Sequence, residues 1–232
     1  MTTIDHKELV FLDHIRLVLN SSPNSVLFDI GGNRGEYTDL FLLNVPTAKS
    51  YIFEPIFYNF EYLFDKYKNN HQIELNIEGL SKNEGYKKFY IVGDRNILDG
   101  MSSLFFRPNV FTNIDYQTTT IQTTTVDAYA KLNNIDHINM MKIDTEGSEF
   151  DIILGSGSLL ETKNIDFIQF EYGKTWEDAN CKIGECVEFL NFFGYKVFEY
   201  TDHFIEILPR KDDYNVRKYD NFLVTHLTGV LE

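Results

Sequence analysis

The stretch Val26-Leu27-Phe28-Asp29-Ile30-Gly31-Gly32-Asn33-Arg34-Gly35 sets the architecture of the chain. An apolar run of strand length carries one acid, breaks into a glycine cluster, and gives way to Glu36–Leu43, whose apolar spacing is helical until Pro46 stops it. The unit is strand, glycine turn, helix. Downstream it recurs: Tyr51-Ile52-Phe53 ends at Glu54-Pro55 and leads into 56–68, with Phe57, Phe60, Leu63 and Phe64 at helical spacing. Ile138–Ile143 ends at Asp144-Thr145-Glu146-Gly147, and Ile165–Phe170 ends at Glu171. Strands are also predicted at 72–77, 86–92, 195–199, 203–208 and 221–225, with helices at 5–19, 126–132, 150–160 and 182–193. The threonine tract 118–125 reads as an exposed or edge strand, because β-branched threonine suits an extended backbone. Strands alternating with helices imply crossovers lying over a parallel sheet, so the expected fold is a doubly wound α/β sandwich.

The chain has 232 residues, enough for one α/β domain, with 1–24 read as a helix and lead-in and 25–232 as the core. Hydrophobic residues make up 43% and charged residues 24%, which excludes a disordered or disulfide-scaffold protein. Twenty-one Lys and Arg against 35 Asp and Glu leave a formal charge of −14, so a polyanionic partner such as nucleic acid is not expected. Charges in Met1–Glu8 interrupt any leader-like apolar core, and no run approaches the roughly 18 apolar residues of a membrane span. Two cysteines, Cys181 and Cys186, with no ligand-spaced pair elsewhere, suit a reducing compartment, and the expected location is the cytoplasm.

In doubly wound sheets ligands bind beyond the carboxyl ends of the strands, and here those ends are acidic: Asp29, Glu54, Asp144 with Glu146, and Glu171. A glycine turn feeding a helix lets a ligand approach free backbone N–H groups, and an acid on the neighbouring strand can hold both hydroxyls of a ribose. Gly31, Gly32 and Gly35 lack the Gly-x-Gly-x-x-Gly spacing of dinucleotide proteins, which disfavours NAD. Asp-x-Gly-x-Asn-x-Gly suits S-adenosylmethionine, whose ammonium an acid can hold and whose carboxylate helix N–H groups can hold.

At this point the sequence resembles the FkbM-type S-adenosylmethionine-dependent methyltransferases. The marks are Asp29–Thr38, Phe53-Glu54-Pro55, Leu80-Ser81 with Gly85, Met101–Leu104, Thr125-Val126-Asp127 and above all Lys142-Ile-Asp-Thr-Glu-Gly-Ser-Glu149. The resemblance implies a class I methyltransferase fold of seven strands with the last antiparallel, and O-methylation, often of a sugar hydroxyl. It also implies that Gly31, Gly32, Asn33 and Gly35 line the methionine portion, that Asp29 faces its ammonium, and that Thr38 helps hold its carboxylate. Glu54-Pro55 would take the ribose, and Glu78-Gly79-Leu80-Ser81 would contact adenine. The family typically has Ala at the position of Gly32, a small-for-small exchange expected to leave the turn intact.

Methyl transfer to a hydroxyl needs an aligned acceptor and a base to take its proton. The candidates are Asp144, Glu146 and Glu171, preferred in that order. The sequence assigns no metal ligand, although acids gathered in one cleft would equally hold Mg²⁺. The irregular stretch 93–115 reads as a substrate loop, with Ser102 and Ser103 covering the acceptor; Tyr172 and Trp176 are candidate stacking surfaces for a sugar, and His137 and His203 lesser acceptor-site candidates. The expected partner is a carbohydrate or another hydroxylated small molecule. Two alternatives stay open, an NAD-dependent oxidoreductase and an inactive cofactor-binding module.

Overall fold

The computed structural model describes residues 6–92, 99–108, 112, 114–200, 202–208, 220–227 and 230–231. Of the predicted substrate loop, 93–98, 109–111 and 113 lie outside the described residues. Helix α1 (His6–Ser21) is followed by β1 (Val26–Ile30), α2 (Glu36–Asn44), β2 (Lys49–Phe53), α3 (Phe57–Tyr67) and β3 (Ile73–Asn76). Three strands, β4 (Gly79–Leu80), β5 (Gly85–Val92) and β6 (Tyr116–Thr124), come next. Then follow α4 (Val126–Leu132), β7 (Ile138–Ile143), α5 (Glu149–Leu154), α6 (Gly157–Glu161), β8 (Ile165–Tyr172), α7 (Lys174–Asp178) and α8 (Ile183–Phe192). β9 (Lys196–Tyr200), β10 (Phe204–Ile207) and β11 (Asp220–Thr225) complete the order.

The main sheet runs β10-β9-β11-β8-β7-β1-β2-β3. Its members from β3 to β8 are parallel neighbours, and β11 lies antiparallel between β8 and β9. This is the seven-strand arrangement with an antiparallel last strand that the resemblance implied, and β10 extends it by an eighth strand paired antiparallel to β9. The threonine tract does form a strand, but β6 belongs to a separate three-stranded sheet, β4-β6-β5, and not to the main one. The segment predicted as one helix at 150–160 breaks into α5 and α6 at Gly155-Ser156.

Strand alternation sends successive side chains to opposite faces, and the two faces have separate cores. Phe28, Ile30, Met141, Ile143, Ile168 and Phe170 pack into one with the later helices. Leu27, Met140, Phe167 and Leu223 pack on the other against Phe11, Leu12, Ile15 and Leu19 of α1 and Phe41 of α2. One pleat further toward the carboxyl ends, this second face turns polar. Register pairs Asp29 with Lys142, Lys142 with Gln169, and Glu171 with Asn221. A hydrophobic face that becomes charged at one end is what positions the site.

Candidate active site

A cleft of about 330 Å³ opens at this polar end. The glycine turn forms its floor. Gly31 and Gly35 take left-handed backbone angles (φ 81° and 75°), and Asn33 does so as well at 46°. The N–H groups of Gly31 and Gly32 both donate to the Phe53 carbonyl, at 2.9 and 3.2 Å, which ties the turn to the end of β2. A Cβ on Gly31 would stand 1.9 Å from the Asp144 carbonyl oxygen, so the turn lies directly against the end of β7. Gly32 is equally confined: a Cβ there would stand 2.2 Å from Ile52 Cγ2. In this chain Ile52 occupies the space that a methyl at position 32 would need, so glycine suits the turn there.

Asp29 is buried beneath the turn, and the Thr38 hydroxyl donates to it at 2.6 Å. Burial outweighs that bond and pushes the Asp29 pKa up to about 6. Thr38 is itself fully buried, so its hydroxyl fixes Asp29 and does not reach into the cleft as the resemblance had implied. Glu54, also buried, accepts from the N–H groups of Asn33 (2.9 Å) and Ile56 (2.8 Å). Its carboxylate is thereby held at the cleft wall beside Pro55. Gly79 and Leu80 line the cleft together with Ile56, Phe89, Leu104 and Ile121, an apolar wall built largely by the small sheet. Glu78 and Ser81 lie off this wall: Glu78 is half-buried beyond β3, and the Ser81 hydroxyl accepts from Lys87. The apolar positions Phe89, Leu104 and Ile121 escaped the sequence reading because they lie 9 to 42 positions beyond Gly79-Leu80 and meet it only once the small sheet folds over.

On the opposite side stand Asp144, Glu146 and Glu171, each able to offer one carboxylate oxygen within 4.8 Å of the others. Their surroundings differ. Asp144 accepts from Lys142 Nζ at 3.2 Å, and Glu146 from Arg107 Nη1 at 2.8 Å. The Glu171 carboxylate has neither a hydrogen bond nor an ion pair among the described residues. Burial, reinforced by the Asp144 charge, pushes Glu146 up to about 8 and Glu171 up to about 7. Another buried acid, Glu149 at the start of α5, accepts from the Thr145 and Gly147 N–H groups at 2.9 and 3.0 Å. It braces the loop in which Glu146 has a left-handed φ of 58°. Glu149 is visible in the sequence motif, but its supporting role is legible only from these bonds.

Ser102 lines the cleft and accepts from the Val92 N–H at 3.0 Å. Ser103 is fully buried and donates to the Glu146 carbonyl at 2.7 Å, so the loop carrying both serines is latched to Glu146 by Ser103 and by Arg107. Arg107, missed in the sequence because a single arginine in an irregular loop carries no signal, is the cation of this half. Trp176 is corrected outright: it is fully buried, stacked on Phe150 with ring centroids 6.2 Å apart, and its Nε1 donates to the Glu171 carbonyl. It offers no face to a sugar and instead supports the strand end that carries Glu171. Tyr172 packs edge-on against Trp176 and lies outside the cleft. His137 pairs with Asp166 at 3.0 Å near the amino-terminal ends of β7 and β8, far from the acceptor side, and His203 is an exposed residue outside the cleft.

The donor set fits S-adenosylmethionine by an observation internal to the chain: two glycines that admit no Cβ, a buried acid below them, and a carboxylate pinned at the neighbouring strand end. A seven-strand class I sheet with this cleft at its carboxyl edge defines a class I methyltransferase. The chain belongs to the FkbM methyltransferase domain family, whose model matches residues 29–213. Among solved structures it is similar to an rRNA methylase from Streptococcus thermophilus, with 13% identity over 98% of this chain and 100% of that one and a TM-score of 0.52. It is also similar to SMU.1697c from Streptococcus mutans, solved in complex with S-adenosylhomocysteine, with 12% identity over 97% and 100% of the two chains and a TM-score of 0.51. These likenesses are of fold. No curated protein matches the chain significantly. The protein is a S-adenosylmethionine-dependent methyltransferase, and among its described residues no helix is long and apolar enough to cross a membrane.

Proposed function

We propose that the protein transfers the methyl group to a hydroxyl of a carbohydrate or glycosylated small molecule, with Glu171 as general base. The observation that carries this reading is the Glu171 carboxylate, near neutral in proton affinity, hydrogen-bonded to no cation among the described residues although the Lys142 charge acts on it, and lining the same cleft as the glycine turn. Bound S-adenosylmethionine supplies an electrophilic methyl group on a sulfonium. The chain then has to hold an acceptor oxygen in line and take its proton. Glu171 suits the second task best, because Glu146 is engaged by Arg107 Nη1 at 2.8 Å and burial pushes it up to about 8, further from the neutral range than Glu171 at about 7. Asp144, against the turn and tied to Lys142, borders the donor side. Asp29, Gly31, Gly32 and Asn33 are assigned to the methionine portion, Glu54 and Pro55 to the ribose, and Gly79, Leu80, Phe89 and Ile121 to the base.

A hydroxyl acceptor without negative charge is favoured by the walls themselves, since Glu36, Asp144, Glu146 and Glu171 line one cleft in a chain of net charge −14. A polyanion, such as the RNA on which the Streptococcus thermophilus neighbour's name says it acts, meets repulsion there. The test is incubation with S-adenosylmethionine and a panel of neutral glycosides, aminoglycosides, catechols and ribosomal RNA, following S-adenosylhomocysteine release and locating the methyl group by mass spectrometry. Transfer to a sugar oxygen, unaffected by EDTA, is the expected result. Methylation confined to RNA or to amines overturns the acceptor assignment. Activity abolished by EDTA and restored by Mg²⁺ overturns the base assignment, because the three acids then act as ligands to a cation.

A further inference from the structure

The family match begins at residue 29, yet a residue well before it enters the cleft. Glu8, in the first turn of α1, lines the same cavity as the glycine turn. Its Oε1 lies 2.8 Å from Lys142 Nζ, which lies 3.2 Å from Asp144 Oδ2. Lys142 is on the central strand β7 with its side chain 4% exposed, whereas the Asp144 side chain is 44% exposed. A buried ammonium is costly unless paired and hydrogen-bonded, and Glu8 supplies the buried half of that pairing. The Tyr37 ring adds a face 5.3 Å from the ammonium. Lys142 is thereby fixed from below, and the half-exposed Asp144 carboxylate, which would otherwise swing with solvent, is held by a rigid donor.

We propose that α1 is a working part of the donor site, with Glu8 and Lys142 as positioning residues that set where the Asp144 carboxylate stands and so how strongly the site prefers the positively charged donor to its neutral thioether product. This rests on the reading, given above, that Asp144 borders the donor side. The preference follows from charge: a fixed carboxylate beside the methyl-bearing end attracts a sulfonium and is indifferent to a thioether, while contacts to the rest of the nucleoside are common to both. Packing alone does not require the arrangement. α1 is already secured by Phe11, Leu12, Ile15 and Leu19, all fully buried or within 1% of it. A lone pair joining α1 to the sheet would not need to extend to a cleft acid.

The test measures affinity for S-adenosylmethionine and for S-adenosylhomocysteine by calorimetry on the full chain, together with Tm, in wild type, Glu8→Gln, Lys142→Arg, Lys142→Met and Asp144→Asn. The expected result is a preference for the charged ligand that falls about 3- to 10-fold in Glu8→Gln and in Asp144→Asn, with Lys142→Arg retaining most of it. Lys142→Met leaves two acids facing each other without a cation and is the variant at risk of misfolding; Glu8→Gln keeps shape and polarity and carries the test without it. If Glu8→Gln and Lys142→Arg lower Tm or shift both affinities equally while the ratio holds, the pair is structural and the proposal fails. Should Asp144→Asn also leave the ratio unchanged, the placement of Asp144 on the donor side fails too. A fall in Asp144→Asn without one in Glu8→Gln overturns only the part assigned to α1.

Discussion

Glu171→Gln is expected to lower kcat by about 10²- to 10⁴-fold, the usual worth of a positioned general base, while S-adenosylmethionine affinity stays within a few-fold of wild type. The reasoning is geometric first. Glu171, the penultimate residue of β8, is in register with Asn221 of β11, and its backbone is fixed by Trp176 Nε1 donating to its carbonyl at 3.0 Å. Glutamine preserves this placement and removes only the capacity to take a proton. The deprotonated form is the reactive one, so wild-type kcat/KM should rise with pH through about 7 and level off above it, and the rise should vanish in the variant. Stability gives an independent reading of the same group. Burial raises its folded pKa from the usual 4.5 to about 7, so the folded state binds the extra proton. Its contribution is then complete below about 4.5 and is lost as the pH climbs through 7. Glu171→Gln should therefore gain Tm relative to wild type at pH 8 and not at pH 4. A near-normal rate in this variant, with Asp144→Asn inactive, would return the base role to Asp144.

Gly31→Ala is expected to cost about 2 to 5 kcal/mol, the sum of roughly 1 to 2 for a left-handed non-glycine residue and roughly 1 to 3 for forced overpacking. Both causes are present at once, since φ is 81° and the added carbon would stand 1.9 Å from a backbone oxygen of β7. Backbone cannot rotate aside as a side chain can. For a chain of this size the loss corresponds to a Tm lower by about 4 to 20 °C, read by thermal unfolding. S-adenosylmethionine binding should be lost with it, because any relief moves the turn away from Asp144 or from the Phe53 carbonyl that both Gly31 and Gly32 bond. Gly157→Ala is the matched control: no atom lies within 4 Å of its added carbon, and it sits in helix α6. A Gly31→Ala protein with Tm and binding within experimental error of wild type would show that the turn and β7 are less tightly apposed than these distances require.

Much of this protein was legible in the sequence because the signals are local. The run Val26–Ile30, the glycines after it and the acids at 29, 54, 144, 146 and 171 announce themselves through composition over a few residues, and strand alternation places them at one sheet edge. Gly31 and Gly35 are glycines for a reason that needs only the backbone, a positive φ. Trp176 shows where such reading stops. Its place just after Glu171 made it a candidate stacking surface for a sugar, yet it is fully buried against Phe150 of α5 and Phe170 of β8.

Alternating strands and helices, the acidic carboxyl edge and the glycine turn are written into local stretches of the chain, since each depends on residues close together in sequence. That the threonine strand leaves the main sheet to wall the cleft, and that Glu8 and Arg107 reach Lys142 and Glu146, emerges from the folded chain and not from local sequence. The folded chain alone also separates three like carboxylates into one tied to a lysine, one tied to an arginine and one left open. A carboxylate's chemistry is set by its burial and by the charges within a few ångströms, and those neighbours come from segments far apart in the chain.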